Sequence, residues 1–140
     1  MLETFFLKTG LIMINILDTN VILRYLVGDS EILHKKAVDI FKNAESGNLK
    51  LLVKAVVVAE TCFVLESFYK RSNDDIASSM EIFLSQKWLK VEDRKGLLNM
   101  WTNYRNKLHF VDSYLLSSVK ANKYKILTFD KDIEKIEANN

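Results

Sequence analysis

The sequence predicts an α/β protein, a three-layer α/β/α sandwich around a central, mostly parallel sheet of about four strands. Short apolar runs alternate with longer amphipathic stretches along the chain, which is the pattern of βαβ units. The chain has 140 residues, of which 49% are hydrophobic and 27% charged. This length and composition are typical of a single globular domain with a core of its own.

The first half of the chain is predicted to contain two strands and three helices. Gly28 and Gly47 are placed to end the first two helices, and Asp29 or Ser30 to cap the second. The stretch 56–69 is too long for an ordinary strand and is predicted to be a buried helix. In chain order the elements are a strand at 12–17, a helix at 20–26, a helix ending near Gly47, a strand at 51–53 and the helix at 56–69.

The second half is predicted to contain two further strands and four helices. Asn73 or Asp74 is expected to cap the first of these helices. In chain order the elements are a helix at 73–84, a strand at 88–91, helices at 94–105 and 111–121, a strand at 125–127 and a short helix at 131–136. In a parallel sheet with this connectivity, functional sites lie at the carboxyl ends of the strands.

The composition excludes several classes of protein. A single cysteine, Cys62, allows neither an internal disulfide nor a cysteine-based zinc site, and its apolar neighbours predict a buried thiol. Four glycines and no proline leave no glycine-rich phosphate loop. No run approaches the ~20 apolar residues of a membrane span, so a cytoplasmic protein is expected. Residues 1–12 are predicted to be an N-terminal extension upstream of a start at Met13, and 13–140 a single domain.

Four acidic residues have apolar neighbours or lie at an element boundary: Asp18, Glu60, Asp112 and Asp130. Asp18 and Asp130 follow predicted strands, whereas Glu60 and Asp112 lie near the starts of predicted helices. Each has a plain structural alternative, because an aspartate at a helix start is often an N-cap and Glu60 could simply face solvent. If the sheet is parallel, all four positions fall at one edge of it.

Converging carboxylates repel one another, and a divalent cation relieves that repulsion. Oxygen ligands without histidine or thiolate favour Mg²⁺ or Mn²⁺ over Zn²⁺. Such an ion polarises a phosphoryl oxygen and lowers the pKa of a bound water. The four acids therefore suggest phosphodiester hydrolysis.

A resemblance to a known family begins at the run ILDTNVILRYL, residues 16–26, which is similar to the opening motif of PIN domains, specifically of the VapC toxins of bacterial toxin–antitoxin systems. Glu60 in VAET, Asp112 in FVDSYL and Asp130 in TFDKD resemble the later acidic motifs of that family, in the same order. The stretch before Asp112 departs from many relatives, because it lacks their glycine and acidic residue.

The resemblance implies a Mg²⁺- or Mn²⁺-dependent endoribonuclease that forms a homodimer and is neutralised by a small antitoxin protein. Asp18, Glu60, Asp112 and Asp130 would be the catalytic and metal-binding residues, with Asp132 a rival for the role of Asp130. The supporting or substrate-contacting residues would be Asn20, Thr128 and Arg24. For Arg24 the alternative is a surface ion pair with Asp29 or Glu31.

Other classes of protein fit the residues less well. A haloacid-dehalogenase-like phosphatase needs a second acid two residues after Asp18, where this chain has Asn20, and a receiver domain needs paired acids after its first strand. The remaining alternative is a catalytically inactive PIN-like binding module. The helical stretches 32–41 and 56–69 could also form a groove for an antitoxin helix. The RNA target, the number of metal ions and the dimer surface stay open.

Overall fold

The structure is a computed structural model that describes residues 13–139. Within that range the chain forms three strands and eight helices. The strands are β1 (Ile14–Ile16), β2 (Lys50–Val53) and β3 (Leu89–Val91). The helices are α1 (Thr19–Val27), α2 (Glu31–Glu45), α3 (Ala55–Ser67), α4 (Asn73–Leu84), α5 (Arg94–Asn99), α6 (Trp101–Arg105), α7 (Phe110–Asn122) and α8 (Lys131–Ala138). The predicted extension at residues 1–12 lies outside the described residues.

The sheet is parallel, as predicted, with the strand order β1-β2-β3. Ile14 pairs with Lys50, and Leu52 with Lys90. The ladder extends beyond β1, because the backbone N–H of Leu17 donates to Leu52 O at 2.9 Å. Since all three strands run the same way, their carboxyl ends lie at one edge, and each strand leads there into a loop or a helix.

The predicted strand at 125–127 is wrong, and within residues 13–139 the sheet has three strands rather than about four. Residues 124–128 have no regular secondary structure, and the Leu127 and Phe129 side chains are fully exposed. A strand forms only where its backbone groups pair with a neighbour and one face is buried. The two apolar residues Ile126 and Leu127, which follow Lys125, meet neither condition by composition alone.

The described residues divide into two compact units. The first unit comprises the residues up to Thr61 together with Gln86–Glu92, and the second comprises Cys62–Ser85 together with the residues from Asp93 onward. The sheet, α1 and α2 belong to the first unit. Helices α4 to α8 belong to the second.

In the first unit, α1 and α2 form a hairpin whose turn follows the predicted glycine. Gly28 ends α1 with φ +65°, a left-handed conformation in which a Cβ would be strained. Ser30 then caps α2 by accepting from Leu33 N at 3.4 Å. The two helices pack through Tyr25 and Phe41, whose rings meet edge to face with centroids 4.5 Å apart.

Helix α3 is confirmed as a helix, but it is buried on one side only. Its buried residues are Val58, Thr61, Cys62 and Leu65, the spacing of a single helix face. The Val56 and Phe63 side chains are 72% and 66% exposed. The apolar residues of this stretch surround the helix, so their pattern in the sequence does not reveal which side faces solvent.

In the second unit, the cap of α4 is Ser72 rather than the predicted Asn73 or Asp74. The Ser72 hydroxyl accepts from Asp75 N at 3.1 Å, whereas Asn73 Nδ2 donates to Tyr104 O at 2.8 Å. The predicted helix at 94–105 is interrupted at Met100, whose backbone stays in the right-handed helical region. The buried residues of this segment keep one helical face across the interruption: Leu97, Met100, Trp101 and Tyr104.

Candidate active site

Asp18 lies at the carboxyl edge of the sheet, and its carboxylate has no hydrogen-bond or ion-pair partner among residues 13–139. It follows β1 by two positions and is the N-cap residue of α1, with extended backbone angles of φ −82° and ψ 151°. Its side chain makes no capping hydrogen bond and is exposed. The capping role that a sequence suggests for such an aspartate is therefore not what its carboxylate does.

Thr19 links the end of β1 to Glu60. The Thr19 side chain is 5% exposed, and its Oγ1 donates a hydrogen bond of 2.6 Å to Glu60 Oε2. Glu60 lies on the exposed side of α3, within the first unit. The bond fixes Oε2 of the Glu60 carboxylate beside the residue that follows Asp18, and Oε1 has no hydrogen-bond partner in the described part of the chain.

Sequence reasoning did not identify Thr19 as a residue of the site. The two residues of this hydrogen bond are 41 positions apart in the sequence, so no local sequence pattern predicts the bond. The only signal in the sequence is a hydroxyl residue directly after the strand-end aspartate. The Thr19 side chain orients one of the predicted acids, Glu60.

Glu92 is a third acid at the same edge, and sequence reasoning missed it. It follows β3, accepts from Ala55 N at 3.1 Å and forms an ion pair with Lys54 Nζ. The hydrogen bond from Lys54, with that from the Ala55 N–H, lowers the pKa of Glu92. This carboxylate is neutralised within the protein and joins the ends of β2 and β3.

Of the predicted site acids in the second unit, Asp112 is the one whose carboxylate makes no helix cap. It lies half-buried in the first turn of α7, and its carboxylate has no hydrogen-bond partner within residues 13–139. The next residue, Ser113, is fully buried, and its Oγ likewise has no partner among the described atoms. Neither His109, the N-cap residue, nor Asp112 closes the start of α7 with a side-chain hydrogen bond.

Asp130 has the structural role that the alternative interpretation gave it. Its Oδ1 accepts from Asp132 N at 2.8 Å and from Ile133 N at 3.3 Å, so it caps α8. Thr128 Oγ1 accepts from Asp130 N at 3.0 Å and thus supports this cap rather than another carboxylate. Asp132 is exposed in the first turn of α8.

Asn20 and Arg24 both lie on α1, close to Asp18. Asn20 is exposed, whereas Arg24 is partly covered and its Nη1 pairs with Asp29 Oδ1 at 2.9 Å. The surface ion pair was the alternative prediction for Arg24, and the structure contains it. The pair lies between two partly exposed side chains, so its contribution to stability is small.

The chemistry of the donors fits a hard divalent cation. Mg²⁺ is commonly held by one or two carboxylates, with water and substrate phosphates completing its coordination. In the first unit Asp18 and Glu60 supply two such carboxylates, and neither the sheet nor a helix cap uses the oxygens of Asp18. Within residues 13–139, no group of three or more histidine, cysteine, aspartate or glutamate side chains is arranged to hold a metal ion.

The chain is an α/β protein with a parallel sheet and acidic side chains at the carboxyl edge of that sheet. The model of the PIN domain family matches residues 16–139, and the chain belongs to that family. The match confirms the predicted fold class, the three-layer α/β/α sandwich of PIN domains, and PIN domains are in general nucleases that use divalent metals. Comparisons with curated proteins and with solved structures give no match.

No helix within residues 13–139 is both long enough and apolar enough to cross a membrane.

Proposed function

We propose that this PIN domain is a Mg²⁺- or Mn²⁺-dependent endoribonuclease and the toxin of a toxin–antitoxin pair. The observation that carries the proposal is the hydrogen bond from Thr19 to Glu60. It ties a glutamate of α3 to Thr19, the residue that follows Asp18 in the chain. A carboxylate oriented by a buried hydroxyl, near a strand end that carries a second acid, supports an assignment as a metal ligand.

Asp18 and Glu60 would hold an ion in the first unit. In the second unit, Asp112 and Asp130 are the catalytic and metal-binding residues that we propose. When bound, the ion supplies positive charge to a phosphodiester and acidifies water. Asp18 brings a carboxylate that makes no capping hydrogen bond to α1. Thr19 restricts the rotation of Glu60, so its free Oε1 is presented in one orientation. Asp130 offers Oδ2 only, because its Oδ1 is shared by two backbone N–H groups.

The partners we propose are an RNA substrate, a small antitoxin protein and a second copy of the chain in a homodimer, in a cytoplasmic setting. Exposed apolar side chains on α3 support the protein partners, namely Val56 and Phe63. Covering such side chains with a partner stabilises the complex by roughly 25 cal/mol per Å² of apolar area that is buried.

The test is cleavage of total cellular RNA by purified, partner-free protein in Mn²⁺ or Mg²⁺. We expect discrete fragments, and we expect them to disappear in EDTA and in the Asp18→Asn and Asp112→Asn variants. Asp39→Asn is the matched control, because Asp39 is an exposed aspartate of α2 that makes no ion pair within the described residues. It changes the net charge equally and should cleave like the wild type.

Metal binding separates the nuclease from an inactive binding module. Calorimetric titration with Mn²⁺ should show that the wild type binds the ion. The affinity for Mn²⁺ should be at least tenfold lower in Asp18→Asn. A folded protein that neither binds Mn²⁺ nor cuts RNA would contradict the proposal and favour the binding module. A protein that binds Mn²⁺ but leaves all cellular RNA intact would contradict the toxin role.

A further inference from the structure

A groove of about 340 Å³ runs between α1 and α2 in the first unit. Its floor is apolar and is formed by Val21 of α1 with Leu33, Ala37 and Ile40 of α2. Ala37 is buried, whereas the Leu33 side chain is 41% exposed. The floor is therefore accessible apolar surface beside the packed core of the helical hairpin.

The rim of the groove is cationic. Arg24 of α1 and Lys36 of α2 line it together with the amide of Asn20, and no acidic residue belongs to its described lining. Lys36 makes no ion pair within residues 13–139. Arg24 pairs with Asp29 through Nη1, and a guanidinium carries five donors, so the pairing does not exhaust it.

The groove starts next to the proposed acidic site. Asn20 follows Asp18 by two positions, and Arg24 lies one helical turn beyond Asn20 on the same face. At 1.5 Å per residue, Asp18 and Arg24 are about 9 Å apart along α1. That distance corresponds to two or three nucleotides of a stacked strand, at about 3.4 Å each.

We propose that this groove binds a nucleotide of the RNA strand two or three positions from the bond that is cut. Its base lies on the apolar floor, and its phosphates contact Arg24 and Lys36. A cationic rim around an apolar floor matches a polyanion that carries flat apolar rings, which is the chemistry of single-stranded nucleic acid. The inference rests on the proposed ribonuclease function and extends it to the residues that select the substrate strand.

The experiment measures binding of fluorescein-labelled octauridylate and octaadenylate by fluorescence anisotropy, in EDTA so that no metal-dependent cleavage occurs. Lys36→Gln removes a rim charge, and Lys35→Gln is its matched control because Lys35 is exposed on the same helix and does not line the groove. Leu33→Ser alters the floor, and Ile32→Ser is its control because the Ile32 side chain is 73% exposed outside the groove. Circular dichroism melts verify that all four variants fold.

We expect Lys36→Gln to weaken binding about threefold to fivefold near physiological salt, the range of an exposed charge contact. The slope of log K against log salt should fall by about 0.7, the value for one phosphate contact on a single strand. Leu33→Ser should weaken binding about as much without changing the slope, because no charge is lost. The Lys35→Gln and Ile32→Ser controls should stay within twofold of the wild type.

Cleavage assays distinguish failure of this inference from failure of the proposed function. In Mn²⁺, Lys36→Gln should raise KM while kcat stays near the wild-type value. RNA cleavage and binding that are unchanged in both groove variants would overturn the groove and leave the ribonuclease intact. Loss of binding in both groove variants, with no cleavage by the wild type, would support the groove and overturn the ribonuclease. The groove variants could also bind RNA like the wild type but release a co-purified peptide or protein. That result would assign the groove to a protein partner and overturn the inference.

Discussion

Replacing Thr19 with valine should separate the role of this residue in activity from its role in stability. Valine keeps the shape of threonine and removes only the donor to Glu60 Oε2. Glu60 is exposed, so water replaces the lost bond, and the unfolding free energy should fall by about 0.5–1.5 kcal/mol. A folded protein with a typical reserve of about 5–15 kcal/mol tolerates that loss.

The effect on activity should be larger, because a rotating Glu60 carboxylate no longer presents one orientation. Groups that orient a metal ligand are worth about 10–100-fold in metal affinity or activity, which is about 1.4–2.7 kcal/mol. The assay is kcat/KM for RNA cleavage beside Mn²⁺ affinity by calorimetry, with urea unfolding for stability.

Thr19→Ser is the matched control, because serine keeps the donor and loses one methyl group. It should retain most of the activity although it costs some packing. If Thr19→Val cleaves RNA like the wild type, or if Thr19→Ser is as impaired as Thr19→Val, the orientation argument is wrong. In the second case the loss would come from packing of the buried methyl group.

Three further predictions concern stability and reactivity. Burial raises the pKa of the Cys62 thiol, so native protein at about pH 8 should resist a thiol-reactive disulfide reagent that labels it fully in urea; rapid stoichiometric labelling of folded protein would contradict this. The pKa of Glu92 is lower in the folded protein than the value of 4.5 in the unfolded chain. Its charge therefore stabilises the fold at pH values above 4.5, and this contribution is lost as the pH falls through the folded pKa. Glu92→Gln should therefore unfold at lower urea than the wild type at pH 7 and at nearly the same urea at about pH 3; an equal gap at both pH values would refute the assignment. A Cβ at Gly96 would lie 2.4 Å from Asp93 Oδ2, which Tyr114 OH holds at 2.6 Å, so Gly96→Ala should cost about 1–3 kcal/mol in thermal unfolding. The double variant Asp93→Ala/Gly96→Ala should lack that additional cost, and a full penalty without Asp93 would show that the clash is elsewhere.

The sequence was most informative where local chemistry alone determines the structure. The turn between α1 and α2 needs a residue with positive φ, and Gly28 supplies it at the predicted position. Helix α2 was predictable because its apolar residues share one face and Ser30 begins it. The parallel direction of the sheet followed from the alternation of strands and helices.

Prediction failed where tertiary contacts decide the outcome. The run at 125–127 has a composition suited to a strand, yet its backbone stays irregular and Leu127 is fully exposed. The exposed side of α3 was hidden for a related reason, because apolar side chains, Val56 and Phe63 among them, occupy its outer face as well as its inner one. In both cases the composition of the segment describes its propensity, whereas burial depends on what packs against it.

The candidate site shows the same division between local and tertiary information. That Asp18 would lie at the sheet edge follows from its position after an apolar run. That Thr19 would orient Glu60 does not follow, because the bond joins residues 41 positions apart. Glu92 was overlooked for a similar reason, since its role depends on Lys54 and Ala55, which come from the loop after another strand and the helix that follows it.

Asp18 and Asp130 show why a sequence does not separate a helix cap from a candidate metal ligand. Both immediately precede a helix, and both have extended backbone angles. The Asp130 carboxylate accepts two backbone N–H groups of α8, whereas the Asp18 carboxylate accepts none from α1.

The first turn of α1 therefore has no side-chain cap from Asp18. Such a cap typically contributes about 1 kcal/mol to stability. The hydroxyl of Thr19, the first residue of the helix, donates to Glu60. A helix start whose N-cap aspartate makes no cap while the next residue orients an acid breaks a local rule of stability, and such departures occur where function requires them. On this ground Asp18 is a stronger candidate for a metal ligand than Asp130, whose carboxylate already stabilises α8.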